Sequence, residues 1–271
     1  MMPTTHEPQF AELEAFAVEL AQGAAESLAG RDMAGLAVSS KSTSTDLVTQ
    51  ADRDTEAWLI GQILRRRPSD SVLGEEGGQC QGSSGVRWLI DPIDGTVNFV
   101  LGIPQFAVSV AAEVGGTVVA GAVANPASGE VFHAHLGGGA RLGERLLRGP
   151  RGVELAQAVI GTGFSYRPAV RARQIAVIAR LLPDIADMRR MGAASLDLCA
   201  VASGRLDGYF EAGLNPWDYA AGILIATEAG CAVTGLRGDP PSPNFVAAAG
   251  SSCAADLFAL LETLDADHVR D

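Results

Sequence analysis

Two carboxylates held either side of a proline are the first residues that ask for a chemical account. Asp91 and Asp94 stand in the run Asp91-Pro92-Ile93-Asp94-Gly95-Thr96, directly after an apolar stretch at 88–90. A plain turn needs one Asp or Asn and a Gly, not two acids flanking a locked residue. Glu75 and Glu76 likewise follow an apolar run at 71–73, and Asp218 follows Trp217 at the mouth of an Ala- and Gly-rich stretch. Taken singly, two of these have plainer readings. Gly-Glu-Glu-Gly can be a solvated turn, and Asp218 can be an acid favoured by a helix dipole. Taken together they suit hard divalent cations such as magnesium, which takes carboxylate, carbonyl, water and phosphate oxygens. Pro92 fixes its own φ and donates no hydrogen bond, so the Ile93 carbonyl can be aimed as a further oxygen ligand. Gly95 lets the backbone approach a ligand closely. A short helix opening at Thr96-Val97-Asn98-Phe99 would turn free N–H groups toward a phosphate. Glu75, Asp91, Asp94 and Asp218 would repel one another without metal; with two or three cations the same cluster becomes a site for in-line phosphoryl displacement.

Positioning these acids requires elements on several stretches of the chain. Residues 10–29 place Phe10, Leu13, Phe16, Ala17, Leu20 and Ala24 on one helical face. After a polar stretch at 39–45, Thr49 and Asp52 form a T-x-x-D box that opens a second helix, with Pro68 just beyond its basic end. Residues 71–73 and 88–90 are expected as short buried strands running into acidic loops, and 106–112 with 117–124 as a hairpin continued by 130–134. Helices are expected at 169–182, 194–203, 217–229 and 254–264, a short segment at 188–190, and strands at 206–210 and 245–248. Mixed helices and strands predict an α/β layered architecture of two intimate halves, 1–150 and 151–271, meeting near 148–154.

Composition sets the remaining bounds. A formal net charge of −12 opposes nucleic-acid binding by phosphate neutralisation, and it would repel a phosphate ester too unless cations intervened. Cys80, Cys199, Cys231 and Cys253 are scattered, without metal-ligand spacing, and read as reduced thiols in a cytoplasmic protein. No signal peptide is expected from the first residues. The most apolar stretch, 106–124, is interrupted by Glu113, Gly115 and Gly116 and does not read as a membrane span.

The residues resemble the inositol monophosphatase family, within the lithium-sensitive magnesium phosphatases. The likeness is carried by Leu89-Ile90-Asp91-Pro92-Ile93-Asp94-Gly95-Thr96-Val97-Asn98-Phe99, Gly74-Glu75-Glu76-Gly77 and Pro216-Trp217-Asp218-Tyr219-Ala220-Ala221-Gly222. Supporting runs are Asp46-Leu47-Val48-Thr49-Gln50-Ala51-Asp52 and Arg189-Arg190-Met191-Gly192-Ala193-Ala194-Ser195. The resemblance implies a layered α-β-α-β-α sandwich, usually a homodimer, using two or three Mg2+ ions. By position it implies Glu75, Asp91, the Ile93 carbonyl, Asp94 and Asp218 as metal ligands. Thr96, with Glu75, would orient the attacking water, and Asp52 would support Thr96. Gly95 and Thr96 would offer N–H groups to phosphate. Glu211 would accept hydrogen bonds from inositol hydroxyls, with Gly192, Ala193 and Ala194 beside the ring and Arg189 on the substrate side. Glu75, Ile93, Asp94 and Asp218 would face substrate as well as metal.

Other readings stay open within the sequence. Glu211 can be a strand-end surface acid, and Arg189 and Arg190 a solvated edge or dimer-interface pair. His133 and His135, on one face of a strand, are read as non-catalytic, because hard-cation chemistry needs no imidazole. Trp217 is read as core packing beneath Asp218. The run 139–143 lacks the asparagine usual in that turn, and residues 80–85 form a Gly/Ser-rich loop. Substrate alternatives are histidinol phosphate, fructose 1,6-bisphosphate and a 3′-phosphoadenosine nucleotide; the last would prefer an aromatic platform and more basic residues. A different class is a dimeric interaction protein that uses this fold as a docking surface.

Overall fold

A computed structural model describes residues 7–29, 38–40 and 47–269. Asp46 and part of the polar stretch at 39–45 therefore lie outside the described residues. The chain opens with helix α1 (Glu7–Ala29), a two-stranded ladder of β1 (Val38–Ser40) and β2 (Leu47–Thr49), and helix α2 (Gln50–Arg66). Thr49 and Asp52 form the reciprocal capping box expected from the sequence, which sets where α2 begins.

A first sheet of eight strands follows: β3 (Ser71–Gly74), β4 (Gln79–Cys80), β5 (Val86–Asp94), β6 (Ala107–Val114), β7 (Thr117–Ala124), β8 (Val131–His135), β9 (Gly139–Leu142) and β10 (Arg145–Leu146). Its spatial order is β10-β9-β8-β7-β6-β5-β3-β4, antiparallel except for the parallel β3/β5 pair. Helix α3 (Thr96–Leu101) sits between β5 and β6. The second sheet contains β11 (Val159–Thr162), β12 (Asp187–Arg189), β13 (Gly208–Glu211), β14 (Ala232–Thr234) and β15 (Val246–Ala249), in the order β12-β11-β13-β15-β14. Its helices are α4 (Pro168–Leu181), α5 (Ala194–Ala202), α6 (Pro216–Glu228) and α7 (Ser251–Thr263).

These elements stack as an α-β-α-β-α sandwich. Helices α1 and α2 cover one face of the first sheet, α5 and α6 lie between the sheets, and α7 with α4 covers the far face of the second. Strand alternation builds the three apolar layers. Trp88 and Ile90 of β5 pack toward α1 and α2 while Leu89 faces the middle helices. Tyr209 of β13 faces the middle layer and Phe210 the outer one. The middle layer is thin because its contacts use small residues: a Cβ on Gly121 would lie 3.0 Å from Ala221.

Two local expectations change. β5 continues through Pro92 to Asp94, so Asp91 and Asp94 end a strand where a loop was expected. The ladder to β6 shifts register between them, and a bulge is where a sheet tolerates a residue lacking its N–H. Residues 139–142 are strand β9, not a turn. The 80–85 loop is tied to its neighbours: Ser83 and Ser84 N–H groups donate to the Ser69 carbonyl at 2.8 and 2.9 Å.

Candidate active site

Three segments deliver the acids to one cavity of about 370 Å3. The end of β5 contributes Asp91, Ile93 and Asp94, the turn after β3 contributes Glu75, and the start of α6 contributes Asp218. In β5, Asp91 Oδ1 accepts the Ile93 N–H at 3.0 Å, which folds the chain around Pro92. Gly95 then turns into the left-handed region at φ 90°, and a Cβ there would stand 3.0 Å from the Gln105 carbonyl oxygen. Only glycine suits that conformation in that space.

Thr96 follows, buried, with its Oγ1 3.0 Å from the Ile93 carbonyl oxygen and 3.2 Å from Asp52 Oδ1. Asp52 is fixed from behind, because its Oδ2 accepts the Thr49 N–H at 2.8 Å and the Thr49 hydroxyl at 2.6 Å. The cap of α2 is thus also the support of Thr96. One helical turn on, the buried Glu56 accepts the Glu76 N–H at 2.8 Å and the Gly78 N–H at 2.9 Å, one on each carboxylate oxygen. Gly74 and Gly78 leave it the room: a Cβ on either would fall 2.2 or 2.5 Å from a Glu56 oxygen.

The other wall comes from the middle layer. Asp94 Oδ1 accepts the Ala194 N–H at 3.2 Å, and Oδ2 accepts the Ser195 N–H at 2.7 Å and its hydroxyl at 2.5 Å. An acid of the first sheet therefore caps a helix that packs against the second. Asp218 Oδ2 accepts the Asn215 N–H at 2.6 Å. Asn98 bridges the two halves by donating to the Gln105 and Met191 carbonyls at 2.7 and 2.8 Å.

Crowding of like charges marks the cavity. Burial pushes the Asp91 carboxyl well up, and the charges of Glu75, Asp94 and Asp218 push it further. Burial and Glu75 raise Asp218 well above the usual range, against the Asn215 hydrogen bond. Asp94 rises only to about 6, because Ser195 and Ala194 donate to it and oppose the effect of burial. Glu211 is raised to about 7 by burial, opposed by the Tyr209 hydroxyl and the Arg190 charge. Asp218 and Glu211 lie deep among protein atoms yet keep a partly open face on the cavity.

Among the described residues, no three acidic, imidazole or thiol side chains are already closed to metal-ligand spacing. Glu75 stands close enough to Asp91 to raise that carboxyl further. Asp91 and Asp218 each hold a backbone N–H donor on one oxygen, and Asp94 holds donors on both. The donors facing the cavity are hard oxygens without thiol or imidazole, and the group that would relieve their mutual repulsion is a hard cation.

Of the residues singled out from sequence, Glu75, Asp91, Ile93, Asp94, Gly95, Thr96, Gly192, Ala194, Glu211 and Asp218 line this cavity. Asp52 stands behind Thr96, and Ala193 is buried as the residue preceding α5. Arg189 is placed differently: it is exposed and pairs with Asp187 at 2.6 Å, while Arg190 lines the cavity. The strand β11/β12 pairing explains the change, since Arg189 is the last residue of an edge strand. Trp217 also departs from the expected core role; it is half-buried and lines the cavity. Glu56, Asn98, Ser195 and the strap at 163–167 were not anticipated. That strap brings Phe164, Tyr166 and Arg167 to the cavity and is tied to α4 by Gln174 Oε1, which accepts the Ser165 N–H at 2.9 Å. His133 and His135 lie elsewhere, both bonded to Glu14 of α1.

Layered sandwich and acid-lined cavity together define the class. Residues 9–267 match the inositol monophosphatase family, and the chain belongs to that family. It is 47% identical to Mycobacterium tuberculosis inositol-1-monophosphatase SuhB over 238 residues, which are 83% of this chain and 81% of that protein. It is 42% identical to the Nus factor SuhB of Haemophilus influenzae over 222 residues, 81% of this chain and 82% of that one. The solved structure of Mycobacterium tuberculosis SuhB superposes with a TM-score of 0.80 at 42% identity, covering 94% of this chain and 97% of that one. A structure of SaIMPase-II with inositol monophosphate bound gives a TM-score of 0.76 at 27% identity, covering 94% and 96%.

Proposed function

We propose that this chain is a magnesium-dependent phosphatase that hydrolyses inositol monophosphate or a similar small polyol phosphate. The observation that carries the reading is the convergence of Glu75, Asp91, Asp94 and Asp218 on one cavity that also holds Glu211. Glu75, Asp91, the Ile93 carbonyl, Asp94 and Asp218 would hold two or three Mg2+ ions. When bound, the ions supply charge neutralisation, a water of lowered pKa and stabilisation of the leaving oxygen.

The chain's own groups do the rest. Thr96 and Glu75 orient the attacking water, and Asp52 holds Thr96 in place. Gly95 and Thr96 offer N–H groups to the phosphate oxygens. Glu211 accepts hydrogen bonds from the alcohol's remaining hydroxyls, beside the strip formed by Gly192, Ala193 and Ala194. The substrate-side cation is reassigned from Arg189 to Arg190, which lines the cavity. A homodimer, a cytoplasmic location and competition by lithium for one magnesium position complete the reading. The two segments 1–150 and 151–271 act as one unit, since Asp94 and the start of α5 come from different ones.

Phe164, Tyr166 and Arg167 supply the aromatic and basic surroundings that a nucleotide substrate would prefer. Turnover of a panel of phosphate monoesters with Mg2+, compared by kcat/KM, therefore tests the polyol reading; a nucleotide or histidinol phosphate ranking first would reject it. Asp94→Asn should abolish turnover of every ester, and full activity in EDTA would reject the metal-dependent reading. The Nus factor name of the Haemophilus influenzae relative favours a second role, as an interaction protein. A cellular function that survives Asp94→Asn would support that role.

A further inference from the structure

Glu211 does not stand on the cavity wall unaided. β11 and β13 run parallel with Gly161 opposite Tyr209 and Thr162 opposite Phe210. Tyr209 and Glu211 are two residues apart on β13 and so share a face of the sheet. On the neighbouring strand that face carries Gly161 and, one step past the strand's end, Gly163. A Cβ on Gly161 would lie 3.2 Å from the Tyr209 ring, and one on Gly163 would lie 1.9 Å from Glu211 Oε2. Two missing side chains thus open a slot that the ring and the carboxylate occupy together.

Within the slot the Tyr209 hydroxyl donates to Glu211 Oε2 at 2.5 Å. Tyr209 is fully buried, so its ring is held by packing and its hydroxyl has a fixed address. Among the described residues this is the hydrogen bond that the structure gives the Glu211 side chain. The other charged groups around Glu211 are Arg190, which attracts it, and Asp94, Asp197 and Asp218, which repel it. Neither repulsion nor a long, flexible side chain favours one rotamer. The phenol does.

We propose that Tyr209 is a positioning residue that aims Glu211 and thereby sets selectivity for esters whose alcohol carries neighbouring hydroxyls. A polyol offers donors at fixed spacing around a rigid ring, and a carboxylate pinned at one oxygen presents the other at a fixed place. An ester without such hydroxyls gains nothing from that order. The inference rests on the reading of Glu211 as the hydroxyl acceptor.

The test compares inositol 1-phosphate with p-nitrophenyl phosphate in wild type, Tyr209→Phe and Glu211→Ala, all with Mg2+. The quantity read is the ratio of the two kcat/KM values. Losing a hydrogen bond to a carboxylate should lower that ratio about tenfold in Tyr209→Phe, mainly through a raised KM for the inositol ester. A general folding defect would lower both substrates together and leave the ratio unchanged. If Glu211→Ala lowers the ratio while Tyr209→Phe does not, the positioning role is overturned and the acceptor reading stands. If Glu211→Ala leaves the ratio unchanged, the acceptor reading itself fails. Should Tyr209→Phe not fold, Gly161→Ala, whose methyl would crowd the Tyr209 ring at 3.2 Å and not Glu211, must show the same selective loss, and an unchanged ratio there overturns the positioning role.

Discussion

Glu56 carries the sharpest prediction about how the acids are held. Its two carboxylate oxygens accept separate backbone N–H groups, from Glu76 and Gly78, and those N–H groups belong to the turn that directly follows Glu75. Glu56→Gln keeps the shape but replaces one acceptor with an NH2 group, so one backbone donor would face another donor. A hydrogen bond to a charged group contributes about 1.5–3 kcal/mol, and an orphaned buried N–H costs a similar amount. A loss of about 2 kcal/mol should lower the melting temperature by about 4–8 °C in a domain of this size. The loop has little means of relaxing, because Gly74 and Gly78 are packed against the same carboxylate. Glu75 should then drift from Asp91, and loss of support behind a ligand typically weakens metal binding about 10–100-fold. Titration calorimetry with Mg2+ reads that change without any turnover. Wild-type affinity and melting in Glu56→Gln would refute the reasoning, and would mean that the Gly74 N–H to Gly78 carbonyl bond of 2.8 Å holds the turn alone.

Two further predictions concern the scaffold. Burial alone would push the Glu14 carboxyl up, but the hydrogen bonds and charges of His133 and His135 outweigh it and hold the group below its ordinary 4.5. A carboxyl depressed in the folded state stabilises the fold above its unfolded value, and that contribution is lost as pH falls through the folded one. The melting temperatures of wild type and Glu14→Gln should therefore differ at neutral pH and converge as the pH falls below the ordinary 4.5 and through the lowered folded value; a constant gap would exclude the linkage. Gly95→Ala should cost at least about 1–2 kcal/mol, the usual penalty for a side chain in left-handed backbone, and more from the contacts at 3.0 and 3.1 Å with the Gln105 and Gly192 carbonyls. Denaturant midpoints measure it, and an unshifted midpoint would show that the turn can relax.

The acids that line the cavity were legible because their residue types are unusual where they stand. Acids at the ends of apolar runs, with a proline between two of them, have few bland explanations. The layered arrangement was legible from the hairpin read at 106–124 and the later alternation of helix and strand. What stayed hidden were ordinary residues whose roles depend on contacts far along the chain. Ser195 donates to an acid 101 residues earlier, and Glu56 supports a turn 20 to 22 residues later. Neither type nor spacing signals such a bond. Glu56 had one local clue: it sits one helical turn after Asp52 and so shares its face of α2. The exchange of Arg189 for Arg190 was beyond reach, because the two are adjacent and both exposed, and only the end of β12 at Arg189 decides which one reaches the cavity.

The placement of the acids also explains how a cluster of like charges is tolerated in a folded chain. Asp94 receives the first N–H groups of α5, and Asp218 lies in the first turn of α6 with its oxygen on the Asn215 N–H. Both helices point their positive ends at the cavity, where negative charge is favoured. Both also lie in the middle layer, packed on each other and on the two sheets, so they cannot be withdrawn without opening the core. The effect of burial and repulsion on Asp94 and Asp218 is thus opposed by backbone N–H groups at helix starts. Dipoles compensate the charge without occupying every carboxylate oxygen, which a guanidinium fork would tend to do. A set of acids held in that way remains able to bind a cation.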